Sequence, residues 1–253
     1  MKLYTLGTSH GAVENGRACS ANLLEVSDKY YLFDCGGATE LRLSEIGIDP
    51  TKISAVFISH MHEDHVGGIT AILKRFYAYN QNLRRTVIHL PDPRAESAIM
   101  ALMDVMGKFR WNGTRFQTEY DAAVDIKCFD AGIVFDDGNI KVTAIPTAHF
   151  LGGQRPSFAF VIESEDKRVL YTADLNSDFS DYPNILYEQD FDLVLSELVH
   201  FDVDKNLSDI VRTRTKRLIF THYSQTKRSA LMSSGASFPF SVAIAEDKQE
   251  FDI

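Results

Sequence analysis

The chain has only three cysteines, Cys19, Cys35 and Cys128, an odd number set far apart. That excludes a disulfide framework and a cysteine-built zinc knuckle, and it fits a reducing compartment. No apolar run approaches the roughly 20 residues needed to cross a bilayer. Residues 1–7 lack the apolar core and cleavage site of a secretion signal, so the expected location is cytoplasmic. Basic residues are outnumbered, 26 Lys and Arg against 35 Asp and Glu, for a formal net charge of −9 and a pI near 5.3. This argues against a long electrostatic footprint for nucleic acid or an anionic membrane, although a local basic cluster stays open. No internal repeat, low-complexity linker or shift in composition marks a boundary. Residues 1–253 are therefore read as a single domain, long enough for a sizeable core.

What the chain does have is histidine in one place. Three of its eight histidines fall in His60-Met61-His62-Glu63-Asp64-His65, where an even spread would put about 0.2 in six residues. The stretch follows the apolar residues 54–59, which read as a buried strand. A cluster of imidazoles in a turn after a buried strand makes a poor core and a good metal site.

Elsewhere, residues 3–6, 21–26, 30–33 and 86–90 read as strands and 38–46 as a helix. Ile69, Ile72, Leu73 and Phe76 give a helical stripe, as do Ile99, Leu102, Met103 and Met106 after Pro93. Residues 107–120 show no period and are left unplaced. The second half is mostly strands, at 126–129, 133–135, 140–145, 157–162, 168–172, 192–195, 217–220 and 242–245, with a helix at 207–211. Two β-rich halves with helices predict an αββα sandwich, two facing sheets with helices outside.

Five apolar runs end in a residue able to bind metal: 56–59 at His60, 142–148 at His149, 169–173 at Asp174, 193–196 at Glu197 and 218–221 at His222. Loops at one end of rigid strands collect a site, so the five are expected on one rim. Imidazole and carboxylate without thiolate suit zinc, iron or manganese. His60, His62 and His149 would form a three-nitrogen set and Asp64, His65 and His222 a second, with Asp174 bridging the two. Two such cations, expected as zinc first with manganese or iron compatible, would activate a shared water.

These residues resemble the HxHxDH signature of the metallo-β-lactamase superfamily, with His149, Asp174 and His222 in the order that family has them. Leu6-Gly7-Thr8-Ser9 with Arg17 and Ser20, Leu32-Phe33-Asp34-Cys35-Gly36, and Thr221-His222-Tyr223-Ser224-Gln225 are similar to the ribonuclease Z branch. The resemblance runs to Val242-Ala243-Ile244-Ala245-Glu246-Asp247, nearly the whole chain. It implies a two-metal hydrolase with Asp64 as general base as well as ligand. Ribonuclease Z proteins carry His-Glu-Ala-Thr after a late strand; here the residues are Ser196-Glu197-Leu198-Val199. The acid is present, the histidine implicated in leaving-group protonation is absent, and His200 is the candidate replacement. No Gly/Pro-rich basic arm is evident between residues 66 and 140, and Thr226 stands where that branch has arginine after Gln225.

Several residues keep two readings. Glu197 is a carboxylate orienting a ligand histidine or a solvated strand end. Gly67-Gly68 lets a substrate oxygen approach backbone N–H groups or simply makes a tight turn. Lys227 and Arg228 meet a phosphate or are solvated. His10, His89 and His200 are read as structural before catalytic, with His200 the best placed of the three for a catalytic role.

The expected function is a phosphodiesterase using a metal-bridging hydroxide, with Asp64, Glu197 and His200 as catalytic residues. The alternatives are a carboxylic ester, thioester or lactone hydrolase, ribonuclease Z-type tRNA 3′-processing, and a non-catalytic metal-binding or sensing protein. The expected partner is a small-molecule or short phosphodiester substrate. Nucleic acid is allowed but not favoured, no membrane is expected, and a homodimer is left open.

Overall fold

Strand alternation sorts the apolar residues into three layers. The computed structural model describes residues 1–79, 85–107, 110–111, 116–117, 124–164 and 166–253. In chain order they form β1 (Lys2–Gly7), β2 (Ala21–Val26), β3 (Lys29–Phe33), α1 (Thr39–Glu45), β4 (Ile53–Phe57), α2 (Glu63–Val66), α3 (Ile69–Lys74), β5 (Thr86–Leu90), α4 (Pro93–Val105), β6 (Arg110–Trp111), β7 (Phe116–Gln117) and β8 (Val124–Cys128). The second half gives β9 (Gly132–Asp136), β10 (Lys141–Pro146), β11 (Phe158–Glu163), β12 (Arg168–Tyr171), α5 (Ile185–Glu188), β13 (Leu193–Leu198), α6 (Val203–Ile210), β14 (Arg217–Tyr223), α7 (Gln225–Ser233), β15 (Ser241–Ile244) and β16 (Gln249–Asp252).

Two seven-stranded mixed sheets result, in the orders β16-β1-β2-β3-β4-β5-β8 and β15-β14-β13-β12-β11-β10-β9. Their inner faces meet through Phe33, Ala55, Phe57, Phe160, Tyr171 and Ile219. The outer face of the first sheet packs on α1, α3 and α4 through Leu43, Ile72 and Met103. The outer face of the second packs on α5 and α6 through Leu186, Val203 and Ile210. Each large apolar side chain removed from water contributes about 1.5–3 kcal/mol. Strand β4 and the residue after it feed two of these cores, Ala55 and Phe57 on one side and Val56 and Ile58 on the other. That is why it reads as an unbroken apolar run.

The expected αββα sandwich is the observed one. The β2–β3 hairpin turns on Ser27 and Asp28, both at positive φ (48° and 62°), as a two-residue hairpin turn requires. Several elements differ from the sequence reading, among them the short helices α2 and α5, which it does not assign. Helix α6 starts at Val203 rather than 207, because its polar first turn hides a stripe of Val203, Leu207 and Ile210. Helix α7, capped by Ser224 accepting from Lys227 N, buries no residue and so shows no stripe. Strand β16 pairs antiparallel with β1, yet has one apolar residue, Phe251. The unplaced segment 107–120 lies largely outside the described residues; within it β6 and β7 pair with each other.

His89 is structural, as expected. It is buried in β5, stacked on Phe57 at 4.8 Å and 13° and edge-on to Phe135 at 5.6 Å. Burial, reinforced by Lys127 and opposed by Asp125, pushes its pKa down to about 4. Its folded pKa lies below its unfolded value, so the unfolded chain binds the proton more readily. Its stability contribution is complete above about pH 6.5 and is lost as pH falls through about 4. Between pH 7 and pH 5, His89→Phe is expected to lose about 2 kcal/mol less than wild type. Denaturant unfolding of the metal-free protein at both pH values measures this; parallel losses would refute it.

Candidate metal centre

Seven strands deliver the site from their carboxyl ends. Strand β4 leads into His60 and His62, and the short α2 carries Asp64 and His65. His149 follows β10, Asp174 follows β12, Glu197 and His222 sit near the ends of β13 and β14, Asp34 follows β3, and Ser9 follows β1. Backbone shape is specialised here. Asp34, Ala173 and His222 have φ of 59°, 49° and 47°, conformations non-glycine residues rarely adopt and that cluster at functional sites. At His222 the β13–β14 register slips by a residue, a bulge that re-aims the ring. Gly36 is required by close approach, since a Cβ there would lie 2.2 Å from the Asp64 carbonyl oxygen.

The side chains that could hold a metal fall into groups whose ligand atoms lie within 4.8 Å of one another: His60, His62, His149 and Asp174 in one, Asp64, His65 and His222 in another, and Asp174, Glu197 and His200 in a third. His62 Nδ1 stands 2.9 Å from His60 Nε2 and 3.1 Å from His149 Nε2. Asp174 lies between the groups. Its Oδ1 is 3.3 Å from His65 Nε2. Its Oδ2 is 3.3 Å from His222 Nε2, 3.5 Å from His149 Nε2 and 3.8 Å from His60 Nε2. Asp64 Oδ2 is 3.5 Å from His65 Nε2 and 3.7 Å from His222 Nε2.

The outer nitrogens decide which face of each ring turns inward. His222 Nδ1–H donates to the carbonyl of Ser9 (3.0 Å) and His149 Nδ1–H to the carbonyl of Leu175 (3.2 Å). His65 Nδ1–H donates to Asp34 Oδ2 at 2.7 Å. His60 Nδ1–H donates to Ser59 Oγ at 3.0 Å, and Ser59 Oγ–H donates onward to Asp34 Oδ2 at 2.9 Å. Each carbonyl or carboxylate can only accept, and the Ser59 hydroxyl gives its own proton to Asp34, so each Nδ1 carries a proton and Nε2 is the nitrogen turned inward. His62 Nδ1 stands between the inward nitrogens of His60 and His149, and a single proton on it can point at only one of them, whereas a cation would satisfy all three. His65 Nε2 and Asp174 Oδ1 are both fully buried, and despite their 3.3 Å approach neither has a hydrogen-bond partner among the described residues. The donor set fits divalent metal on all these counts.

Charge points the same way. Burial alone would lower the His65 pKa, but the Asp174 and Asp34 carboxylates outweigh it and hold it well above the usual imidazole range. Burial opposes ionisation of Asp174, yet His222 and His65 hold its carboxyl well below the usual range. Burial and the neighbouring His65 push His60 well down, and burial with His149 lowers His62. The centre therefore demands positive charge near Asp174 while His60 and His62 resist protonation.

Glu197 is not a solvated strand end. It is fully buried, its Oε1 accepts from Leu175 N (2.6 Å), and its Oε2 accepts from Val199 N (2.9 Å) and His200 N (2.8 Å). Both oxygens lie 2.9 Å from His200 Nδ1. Burial lowers the His200 pKa, but Glu197 and then Asp174 outweigh it, and the net shift is upward. The His200 ring sits 4.5 Å from that of His149, with Nδ1 3.8 Å from Asp174 Oδ2. Two open readings close. Gly67 N–H and Gly68 N–H already donate to Glu63 and Cys35 carbonyls (2.6 and 2.8 Å), so the pair makes a tight turn and offers no anion site. Lys227 is bound to Asp202 (2.7 Å) and the Phe201 carbonyl, and Arg228 pairs with Glu246.

Residues 1–238 match the family described as Anti-Pycsar protein Apyc1. The chain belongs to that family. It has the metallo-β-lactamase fold and stands in the ribonuclease Z-like branch of that superfamily. A ribonuclease Z of Anoxybacillus flavithermus is 32% identical over 171 residues, 66% of this chain and 49% of that protein. The chain thus spans about half the length of the curated relatives it matches. Among solved structures, the metallo-β-lactamase fold protein YhfI of Bacillus subtilis superposes with a TM-score of 0.75 at 19% identity, over 99% of this chain and 98% of that one. The short form of human tRNase Z superposes at 0.73 and 22% identity, over 100% and 99%. Both likenesses are of fold.

The residues that hold the ligands in this Apyc1-family chain were largely hidden in the sequence. Asp34 is the chief of them: Oδ1 accepts Ser59 N–H (2.7 Å), and Oδ2 accepts from Ser59 Oγ, His65 Nδ1 and Tyr171 Oη (2.9, 2.7 and 2.7 Å). Its signal was present, an apolar strand ending in a carboxylate like the five runs above. Arg17 donates to the carbonyls of Thr8 (2.8 Å) and Tyr223 (2.9 Å) and lies 4.0 Å over the Tyr223 ring. It clamps β14 to the loop whose Ser9 carbonyl orients His222.

Proposed function

We propose that this chain is a two-metal hydrolase of phosphodiesters, acting on a small or short diester rather than on a large folded RNA. The observation that carries the reading is the inward set of imidazole nitrogens around the ionised Asp174. His60, His62, His149 and Asp174 would hold one cation, and Asp64, His65 and His222 with Asp174 the other, with zinc the first expectation. Such cations supply Lewis acidity toward the phosphoryl oxygens and a lowered pKa for water. Asp64 orients the attacking water and takes its proton. Glu197 fixes the His200 ring through Nδ1, leaving Nε2 to donate to the leaving oxygen in place of the histidine absent at Ser196. The net charge of −9 and the pairing of Lys227 and Arg228 with Asp202 and Glu246 support a compact substrate. The continuous core between the sheets supports taking residues 1–253 as one domain, and the three free cysteines support a cytoplasmic setting. No helix among the described residues is long and apolar enough to cross a membrane.

Turnover of bis-p-nitrophenyl phosphate, an alkyl aryl phosphodiester, a precursor tRNA, a thioester and a lactone tests the substrate class; the small diesters are expected to lead. Faster turnover of the tRNA would favour the ribonuclease Z activity. Leaving-group dependence tests His200. His200→Ala is expected to slow release of a poorly acidic alcohol about 10²-fold and of p-nitrophenolate, which needs no proton, less than about tenfold. Equal losses on both would remove His200 from the role of acid.

A further inference from the structure

A side chain outside all the metal-binding groups ties two ligand-bearing turns together. Asp181 Oδ2 accepts the N–H of Ala148 at 2.7 Å and the N–H of Asn176 at 3.0 Å, and Oδ1 accepts the same Asn176 N–H at 2.9 Å. Ala148 directly precedes His149, and Asn176 lies two residues after Asp174. The His149 ring reaches the Leu175 carbonyl in return. The two turns are therefore joined twice, once through the imidazole and once through the Asp181 carboxylate.

The segment that presents Asp181 is built to hold it still. Phe179 takes a positive φ of 61° and is buried, as is Tyr182. Their rings stack at 4.4 Å and 20°, and Phe179 also packs on Phe201 at 4.5 Å. Tyr182 Oη shares a 2.9 Å hydrogen bond with Thr213 Oγ1. Asp181 thus sits beside a buried, hydrogen-bonded anchor, and its hydrogen bonds are charge-assisted.

We propose that Asp181 is a positioning residue for the metal held by His60, His62, His149 and Asp174, setting the spacing of His149 from Asp174 through their backbone amides. The proposal rests on the two-metal reading. It predicts an asymmetric effect. Ligand geometry must be held within about 0.5 Å, and only the first metal uses His149. In the second set, His65 is oriented by Asp34 and His222 by the Ser9 carbonyl, neither of which involves Asp181.

The test is a Co²⁺ titration of metal-free wild type, Asp181→Ala and Asp181→Asn, followed by visible d–d absorption, with thermal unfolding of each metal-free protein alongside. Wild type is expected to take up two equivalents. Asp181→Ala is expected to bind one of them about 10–100-fold more weakly with an altered band, the other weakened clearly less because it shares only Asp174, and with little change in metal-free melting. Asp181→Asn, whose oxygen at the Oδ2 position can still accept both N–H groups, should fall between. Wild-type affinities and spectrum in Asp181→Ala would overturn the proposal, as would equal weakening of both equivalents. If Asp181→Ala does not fold, the same criteria apply to Asp181→Asn. Absence of uptake by wild type would instead overturn the two-metal reading on which the proposal rests.

Discussion

Asp174→Asn is expected to lower phosphodiester turnover roughly 10³-fold or more and to leave at most one metal equivalent bound. Asparagine keeps the shape of the side chain but offers one oxygen where aspartate offers two. Asp174 Oδ1 faces His65, and Oδ2 faces His60, His149 and His222, whereas, of the described histidines, Asp64 comes within 4.0 Å of His65 and His222 only. An amide nitrogen on either side would aim its hydrogens at the site for a cation. The loss of charge matters as much, because three imidazoles of the first group then face the cation without a neutralising partner. Measured turnover together with metal content of the purified variant decides it. Two retained equivalents with turnover within tenfold of wild type would show that Asp174 bridges nothing.

The second large effect is expected at a residue that touches no metal. Asp34→Ala should destabilise the protein by about 3–5 kcal/mol and weaken metal affinity about 10–100-fold. The carboxylate is fully buried and accepts from Ser59 N, Ser59 Oγ, His65 Nδ1 and Tyr171 Oη. Truncation leaves those donors in a space closed to bulk water, where an unpaired polar group costs about 1–3 kcal/mol. It also frees the His65 ring to turn and removes the acceptor at the end of the His60–Ser59 relay. Denaturant unfolding of the metal-free variant separates the first consequence from the second. A loss under 1 kcal/mol would mean that water or a rearranged side chain takes over these bonds.

Sequence legibility follows side-chain chemistry. The fold was readable because apolar residues repeat with the period of each element, as in α3 and α4, or run unbroken where both faces are covered, as in β4. Elements without that imprint escaped: β16 carries one apolar residue, α7 buries none, and the first turn of α6 is polar. His60, His62, Asp64 and His65 were visible because their spacing is improbable by chance, and His149, Asp174 and His222 because each ends an apolar strand. Asp34 was visible as the end of an apolar strand, but the backbone supports of those ligands were not, for a physical reason. Orientation of His149 and His222 depends on the carbonyls of Leu175 and Ser9, and every residue has a carbonyl. Asp181 acts on backbone amides from a polar turn that resembles any other surface aspartate. The glycines at 67 and 68 and the cations at 227 and 228 offered chemistry on composition alone, and the structure spends all of it on internal bonds.

The central claim is that one chain holds two cations that share Asp174. Elemental analysis of the purified protein, after exhaustive dialysis against metal-free buffer and one round of reconstitution with zinc, tests it most directly. The expected result is about two equivalents per chain, falling to about one in His222→Ala and in His62→Ala. A wild-type protein that retains none, or that reaches full phosphodiester turnover with one, would contradict it.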